Sequence, residues 1–278
     1  MTTPTFATRL QQLDTAASRL CVGVDPHPGI LAAWGLPDSA DGVGVFGRAI
    51  IEAAVATGVI LLKPQVAFFE RHGIAGMSAL ADLIGQARAQ GLVVIADAKR
   101  GDVGSTVAAY ADAWLGEGSD FESDAMTAVA YQGVGSVEPL CEAALEHGKG
   151  LFVLVNTSNP DSWVTQRALV SPGTTLAQHV FDELVARQDS SGQWGWMGCV
   201  VGATLAHADR AVEFPAGPMP LWVLAPGFGY QGAVLSDLPT LFGPASNKVI
   251  PTVSRSVCQG GPDQVVDAII GHLRELTS

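Results

Sequence analysis

Residues 93–114 read VVIADAKRGDVGSTVAAYADAW, and this stretch decides the fold. It opens as an apolar run reached through Gly91. Asp97, Lys99, Arg100 and Asp102 then fall close together, and Gly101 and Gly104 lead into Ser105, Thr106 and an Ala-rich helical pattern. That is a strand, a charged turn and a helix start. Side chains two apart on a strand share a face, so Asp97 and Lys99 are expected to project together. An apolar strand that ends in acid, base and acid needs a reason, because buried charge is costly unless it is paired or used.

The same unit recurs along the chain. Strands are expected at 20–24, 59–63, 93–97, 125–128, 151–156, 199–202, 221–225 and 249–253. Helical patterns fill 45–57, 74–90, 105–115, 137–147, 174–187 and 262–276, and are less distinct after the sixth and seventh strands. Strand and helix in alternation imply a parallel sheet with right-handed crossovers. Eight such units in a chain of 278 residues fit a (β/α)8 TIM barrel forming a single domain over 1–278, with a short N-terminal helix. An open doubly wound sheet is the architectural alternative. Gly58, Gly91 and Gly150 stand where helix C-caps belong. Two segments are long for barrel loops: 157–173, which follows a strand end, and 188–197.

Composition narrows the function. The net charge is −12 and no Lys/Arg cluster occurs, which argues against nucleic acid and against an anionic membrane surface. The apolar runs, such as 58–62 and 151–155, are far too short to span a bilayer. The first twenty residues lack an apolar h-region and read as an amphipathic helix, not a signal peptide. Cys21, Cys141, Cys199 and Cys258 are scattered, as reduced core thiols of a cytoplasmic protein would be. The six histidines form no HxxxH or HExxH pattern, so no metal site is expected.

In a barrel of this kind the active site forms where the strands end. The first ends at Asp25-Pro26, the second at Lys63-Pro64, the third at Asp97 and Lys99 with Asp102 beyond. The fifth ends at Asn156, Thr157 and Ser158, the seventh at Pro226-Gly227 with Gln231 following, the eighth at Ser254-Arg255. Two of the four lysines terminate strands on this rim. A lysine flanked by aspartates stays an ammonium and can deliver a proton. A carboxylate beside a substrate carboxylate would favour its loss, and ammonium groups would stabilise the carbanion left behind. Such an array suits decarboxylation or proton transfer at carbon and needs no cofactor. Arg255 among small residues, with Gln231 on the preceding loop, suits a phosphate, which this fold often binds after its last two strands.

Other features read as structure. Gly227 to Gly232 matches GxGxxG, but a Pro-containing stretch follows and position 252 is Thr, so a dinucleotide fingerprint is rejected. Phe68 and Phe69 are expected in the core. Asp120, Glu122 and Asp124 are expected to form a solvated acidic loop.

The run Asp97-Ala-Lys99-Arg-Gly-Asp102-Val-Gly-Ser-Thr106 resembles the DxKxxDxxxT signature of the orotidine 5'-phosphate decarboxylase family. Asp25-Pro26, the run from Lys63 to Glu70, Asn156 to Pro160, Pro226-Gly227 with Gln231, and Ser254 to Ser256 resemble its other strand ends, in the longer bacterial form. The resemblance implies conversion of orotidine 5'-monophosphate to UMP and CO2, the last step of pyrimidine nucleotide synthesis, without metal or organic cofactor. It implies that Lys99 protonates a C6 carbanion, that Asp97 faces the departing carboxylate, and that Lys63 and Asp102 complete the array. Asp25 and Thr106 would hold the ribose, Ser158 the pyrimidine, and Gln231 and Arg255 the phosphate, with Pro226, Gly227 and Ser254 alongside. It also implies a homodimer in which Asp102 and Thr106 reach the neighbour's site. Relatives commonly carry Gly where this chain has Ser254. The inserts 36–44 and 188–197 acquire no role. The competing readings are a Mg-dependent sugar-phosphate decarboxylase or aldolase on the same barrel, and a non-catalytic nucleotide-binding barrel.

Overall fold

Each strand core is apolar on both faces, the composition of a parallel strand covered on both sides. In the computed structural model, which describes residues 4–205 and 210–277, eight such strands close into one parallel barrel. They are β1 (Cys21–Val24), β2 (Leu61–Pro64), β3 (Val93–Arg100), β4 (Ala125–Ala128), β5 (Gly150–Asn156), β6 (Met197–Val201), β7 (Trp222–Pro226) and β8 (Val249–Val253). Each pairs with its sequence neighbours, and β8 closes onto β1 through Cys21↔Thr252 and Val22↔Val253. The expected (β/α)8 architecture is therefore the observed one, and the open sheet is excluded.

The period of two along each strand separates two cores. Val93 and Ile95 point into the barrel with Leu61, Phe152, Trp222 and Ile250. Val94, Ala96 and Ala98 pack outward into the larger cluster under the helices. The inward parity of β3 then continues into Asp97 and Lys99, which fixes where the charged groups must point. The N-terminal helix (Phe6–Gln11) plugs the lower end of the barrel. Its Phe6 ring meets Phe152 edge-on, with centroids 5.9 Å apart at 87°.

Several expectations change here. Gly150 is no helix cap: it is the first residue of β5, and a Cβ there would lie 2.4 Å from the Phe6 ring. Gly58 does cap its helix (Ala40–Thr57), at φ 75°. The insert 36–44 is largely the N-terminal start of that helix, capped by Ser39 accepting from the Gly42 N–H. The insert 188–197 begins as the end of helix Leu176–Ser190 and then folds over buried Gln188. The Gln188 carbonyl oxygen accepts from the N–H groups of Gly195 (3.3 Å) and Met197 (3.2 Å). This places Trp194 against Trp222, with the Lys248 ammonium 4.1 Å from the Trp194 ring. Among the described residues between β6 and β7 no α-helix runs, and between β7 and β8 only the short helix Leu238–Phe242 does.

All four cysteines are free and buried, and burial pushes each thiol up to about 12. Phe69 is fully buried, as expected. No helix among the described residues is long and apolar enough to cross a membrane.

Of the expected solvated acidic loop, Asp120 is exposed, but Glu122 and Asp124 are tied into the structure. Asp124 accepts the Val94 N–H at 2.8 Å, taking a ladder position at the start of β3. Glu122 accepts from Arg88 (2.6 Å), Lys149 (2.7 Å) and the Gly118 N–H (2.9 Å). Burial works to raise the Glu122 carboxyl, but Lys149, Arg88 and Gly118 outweigh it and hold it at about 2. A carboxylate depressed in the folded state stabilises the fold above its unfolded value, and that contribution is lost as pH falls through the folded one. The melting-temperature gap between wild type and Glu122→Gln is therefore expected to be constant above pH 4.5 and to close as pH approaches about 2. Thermal denaturation across that range checks it, and a gap still open at the acid end contradicts it.

Candidate active site

Asp97 is the hub of the rim. Its Oδ2 accepts from Lys63 Nζ (2.8 Å) and Gln65 Nε2 (2.9 Å). Its Oδ1 accepts from Lys99 Nζ (2.6 Å) and the Thr127 hydroxyl (2.9 Å). Four donors use the acceptor capacity of an ionised carboxylate. Burial favours the neutral acid, but the Lys63 and Lys99 ammonium groups outweigh it and hold Asp97 well below the usual carboxylate range. Burial likewise disfavours the Lys63 ammonium, yet Asp97 and then Asp25 raise it above an ordinary lysine.

Lys99 reaches Asp97 through unusual backbone. It is the only non-glycine among the described residues with positive φ, at 47°. The β3–β4 register breaks at this point: Ala96 faces Met126, and Arg100 faces Ala128. The Lys99 N–H donates instead to the Thr127 hydroxyl at 3.0 Å. Arg100 anchors the far side by pairing with Glu70 and lying over the rings of Tyr110 and Trp114.

The opposite wall comes from β7, β8 and β1. Gly23 lets β8 approach, since a Cβ there would stand 2.7 Å from the Ser254 Cβ. Ser254 has φ −141° and ψ −81°, outside the left-handed region that favours glycine, so a serine is accommodated here. Asp25 Oδ1 and Ser254 Oγ are buried without a hydrogen-bond partner among the described residues, leaving polar capacity toward the cavity. The loop after β7 turns on Gly227, Gly229 and Gly232, all at positive φ, and does not open the long helix that the rejected dinucleotide motif would require. It brings Gln231 to the cavity and sets the Tyr230 ring 4.1 Å from the Arg255 guanidinium carbon.

These groups surround one cavity of about 240 Å³, enough for a small molecule. Of the expected site residues, Asp25, Lys63, Asp97, Lys99, Pro226, Gly227, Gln231, Ser254 and Arg255 line it. Asp102, Thr106 and Ser158 do not. Thr106 is exposed on the first turn of helix Ser105–Leu115, and Ser158 is exposed on the loop after β5. That loop is clamped by Gln166, whose carbonyl oxygen accepts from Asn156 Nδ2 (2.9 Å) and the Thr157 N–H (2.8 Å). Gln65, Thr127 and Tyr230 line the cavity without having been foreseen. Strand parity from Lys63 points to Gln65, and Thr127 is the single polar residue of β4.

The model of the orotidine 5'-phosphate decarboxylase / HUMPS family matches residues 18–268. The chain belongs to that family. The orotidine 5'-phosphate decarboxylase of Salinispora tropica is 44% identical over 260 residues, covering 94% of this chain and 92% of that protein. That of Corynebacterium efficiens is 42% identical over 279 residues, covering 99% and 95%. A crystal structure of a candidate enzyme of this kind from Streptomyces avermitilis superposes with a TM-score of 0.91 at 41% identity, covering 100% of this chain and 96% of that one.

The family hub has an asymmetric energetic role. The Lys63 side chain is 6% exposed and that of Lys99 41%. Asp97→Ala leaves the Lys63 ammonium buried beside a lost partner and is expected to cost about 3 kcal/mol. Lys99→Ala leaves Asp97 with three donors and is expected to cost under about 1 kcal/mol. Denaturant unfolding of both variants checks this, and equal losses contradict it.

Proposed function

We propose that this chain decarboxylates orotidine 5'-monophosphate to UMP and CO2, the last step of pyrimidine nucleotide synthesis, without metal or organic cofactor. The observation that carries the reading is the Lys63–Asp97–Lys99 array in a cavity that Arg255 and Gln231 also line. The curated relatives above, at over 40% identity along nearly the whole chain, bear the name of that carboxy-lyase.

Arg255 and Gln231 take the 5'-phosphate, with Pro226, Gly227 and Ser254 around it, and Asp25 meets the ribose. The pyrimidine then lies over the array, and Ser158 reaches it as the loop after β5 folds inward. Loss of CO2 breaks the bond from C6 to the carboxylate carbon and leaves the electron pair on C6. Lys99 transfers a proton from Nζ to that carbon, and solvent then reprotonates the amine to the ammonium. The triad carries one net positive charge, two ammonium groups against one carboxylate. This supports stabilisation of the developing carbanion more strongly than repulsion of the substrate carboxylate by Asp97, whose charge is already matched by four donors. Binding energy from the remote phosphate supports the chemistry at C6. Strand two ends in Lys63 where a metal-using barrel would need an acid, and among the described residues no three His, Cys, Asp or Glu groups assemble as ligands. The lysine in place of an acid supports the metal-free reading. A cytoplasmic location fits nucleotide synthesis and the buried free thiols.

Purified protein is expected to consume orotidine 5'-monophosphate, seen as loss of its ultraviolet absorbance, with or without EDTA. Lys99→Ala is expected to abolish turnover and still bind UMP. Activity lost to EDTA and restored by Mg²⁺ overturns the metal-free reading, and near-wild-type turnover in Lys99→Ala overturns the proton donor. Wild type that binds UMP without turning over the substrate points to the non-catalytic barrel.

The outward placement of Asp102 and Thr106 supports a homodimer that shares them between sites. Mixing Lys99→Ala with Asp102→Ala through denaturation and refolding would then create one intact site in each hybrid dimer. Recovery of about a quarter of wild-type activity is expected from random pairing, and no recovery contradicts the sharing.

A further inference from the structure

The array depends on a residue that carries no charge. Thr127 is 1% exposed, within an otherwise apolar β4. Its position is where the β3–β4 ladder loses register, so the Lys99 N–H has no carbonyl opposite it. The Thr127 hydroxyl takes that N–H at 3.0 Å and donates its own proton to Asp97 Oδ1 at 2.9 Å. Neither direction can reverse, because an N–H only donates and an ionised carboxylate only accepts. The β-branched side chain is stiff at χ1, so the direction of the hydroxyl follows from the strand backbone.

The lysine needs such a hold. Left-handed backbone costs a non-glycine residue about 1 kcal/mol or more and persists only where its surroundings impose it. On one side Arg100 is tied to Glu70 and to the Ala98 carbonyl. On the other stands Thr127. Relaxation of φ at Lys99 would turn its side chain away from the inward parity of β3 and separate Nζ from Asp97.

We propose that Thr127 is a positioning residue for the reaction: one hydroxyl locks the Lys99 backbone and the Asp97 carboxylate into a single geometry, and so aims the proton donor. The inference rests on the decarboxylase reading above. It differs from a packing role in requiring the hydroxyl and not merely the volume of the side chain.

The test compares Thr127→Val, which keeps the shape and removes the hydroxyl, with Thr127→Ser, which keeps the hydroxyl. Misplacement of a reacting group by about 1 Å can cost about 100-fold in rate. Thr127→Val is therefore expected to lower kcat about 100-fold while UMP affinity stays at the wild-type level, and Thr127→Ser to regain most of the lost rate. A crystal structure of Thr127→Val is expected to show Lys99 outside the left-handed region, with Nζ away from Asp97. Wild-type kcat in Thr127→Val overturns the proposal, as does a serine variant as slow as the valine one, or a fall confined to melting temperature. Wild type inert toward orotidine 5'-monophosphate would overturn the functional reading instead. In that case the Lys99 backbone in the Thr127→Val crystal still decides whether the hydroxyl holds it.

Discussion

The Asp97 carboxylate, with donors on all sides, is the constraint on which the site depends. Lys63 and Gln65 reach it from β2 and the residue just beyond, Lys99 from its own strand, and Thr127 from β4. Three neighbouring strand ends are therefore tied at one point, in a region where an unmatched charge would be expensive. The ties work only because inward parity is kept along β2, β3 and β4. A shift of one residue in any of them would turn Leu62, Ala96 or Met126 toward the cavity and bury the charged groups under the helices. The apolar interior below the rim is thus what holds the register that the polar rim requires.

The contrast between global and local charge follows from the same economy. The chain is strongly acidic, yet the cavity wall carries three cations, Lys63, Lys99 and Arg255, against two carboxylates, Asp25 and Asp97. An anionic ligand gains nothing from the protein at long range. It is favoured only once inside, where low dielectric walls make each fixed charge count for more.

Much of this was legible in the residues. Apolar runs that stop at Asp25, Lys63, Asp97 and Arg255 announce strand ends, and their alternation with helices announces the barrel. The rest was hidden for identifiable reasons. Both faces of a parallel strand are buried, so the apolar runs conceal which residues point inward, and Gln65 and Thr127 show their roles only once parity is known. Glu122 and Asp124 look like a solvated loop because their partners Arg88, Lys149 and the Val94 N–H lie far away in sequence. Gly150 looks like a cap because nothing local reveals the Phe6 ring above it. Gln188 looks like loop filler, although its side chain is what closes the 188–197 segment. Asp102 and Thr106 belong to the signature and Ser158 to the fifth-strand end by resemblance, and a single chain leaves all three outside its own cavity.

The plug formed by Phe6 and Leu10 has a consequence for traffic through the molecule. With the lower end sealed by a helix and a layer of aromatic side chains, the barrel is a blind-ended vessel. Whatever enters or leaves the cavity, ligand, solvent or proton, shares one mouth. Entry and departure are for that reason events at the same doorway.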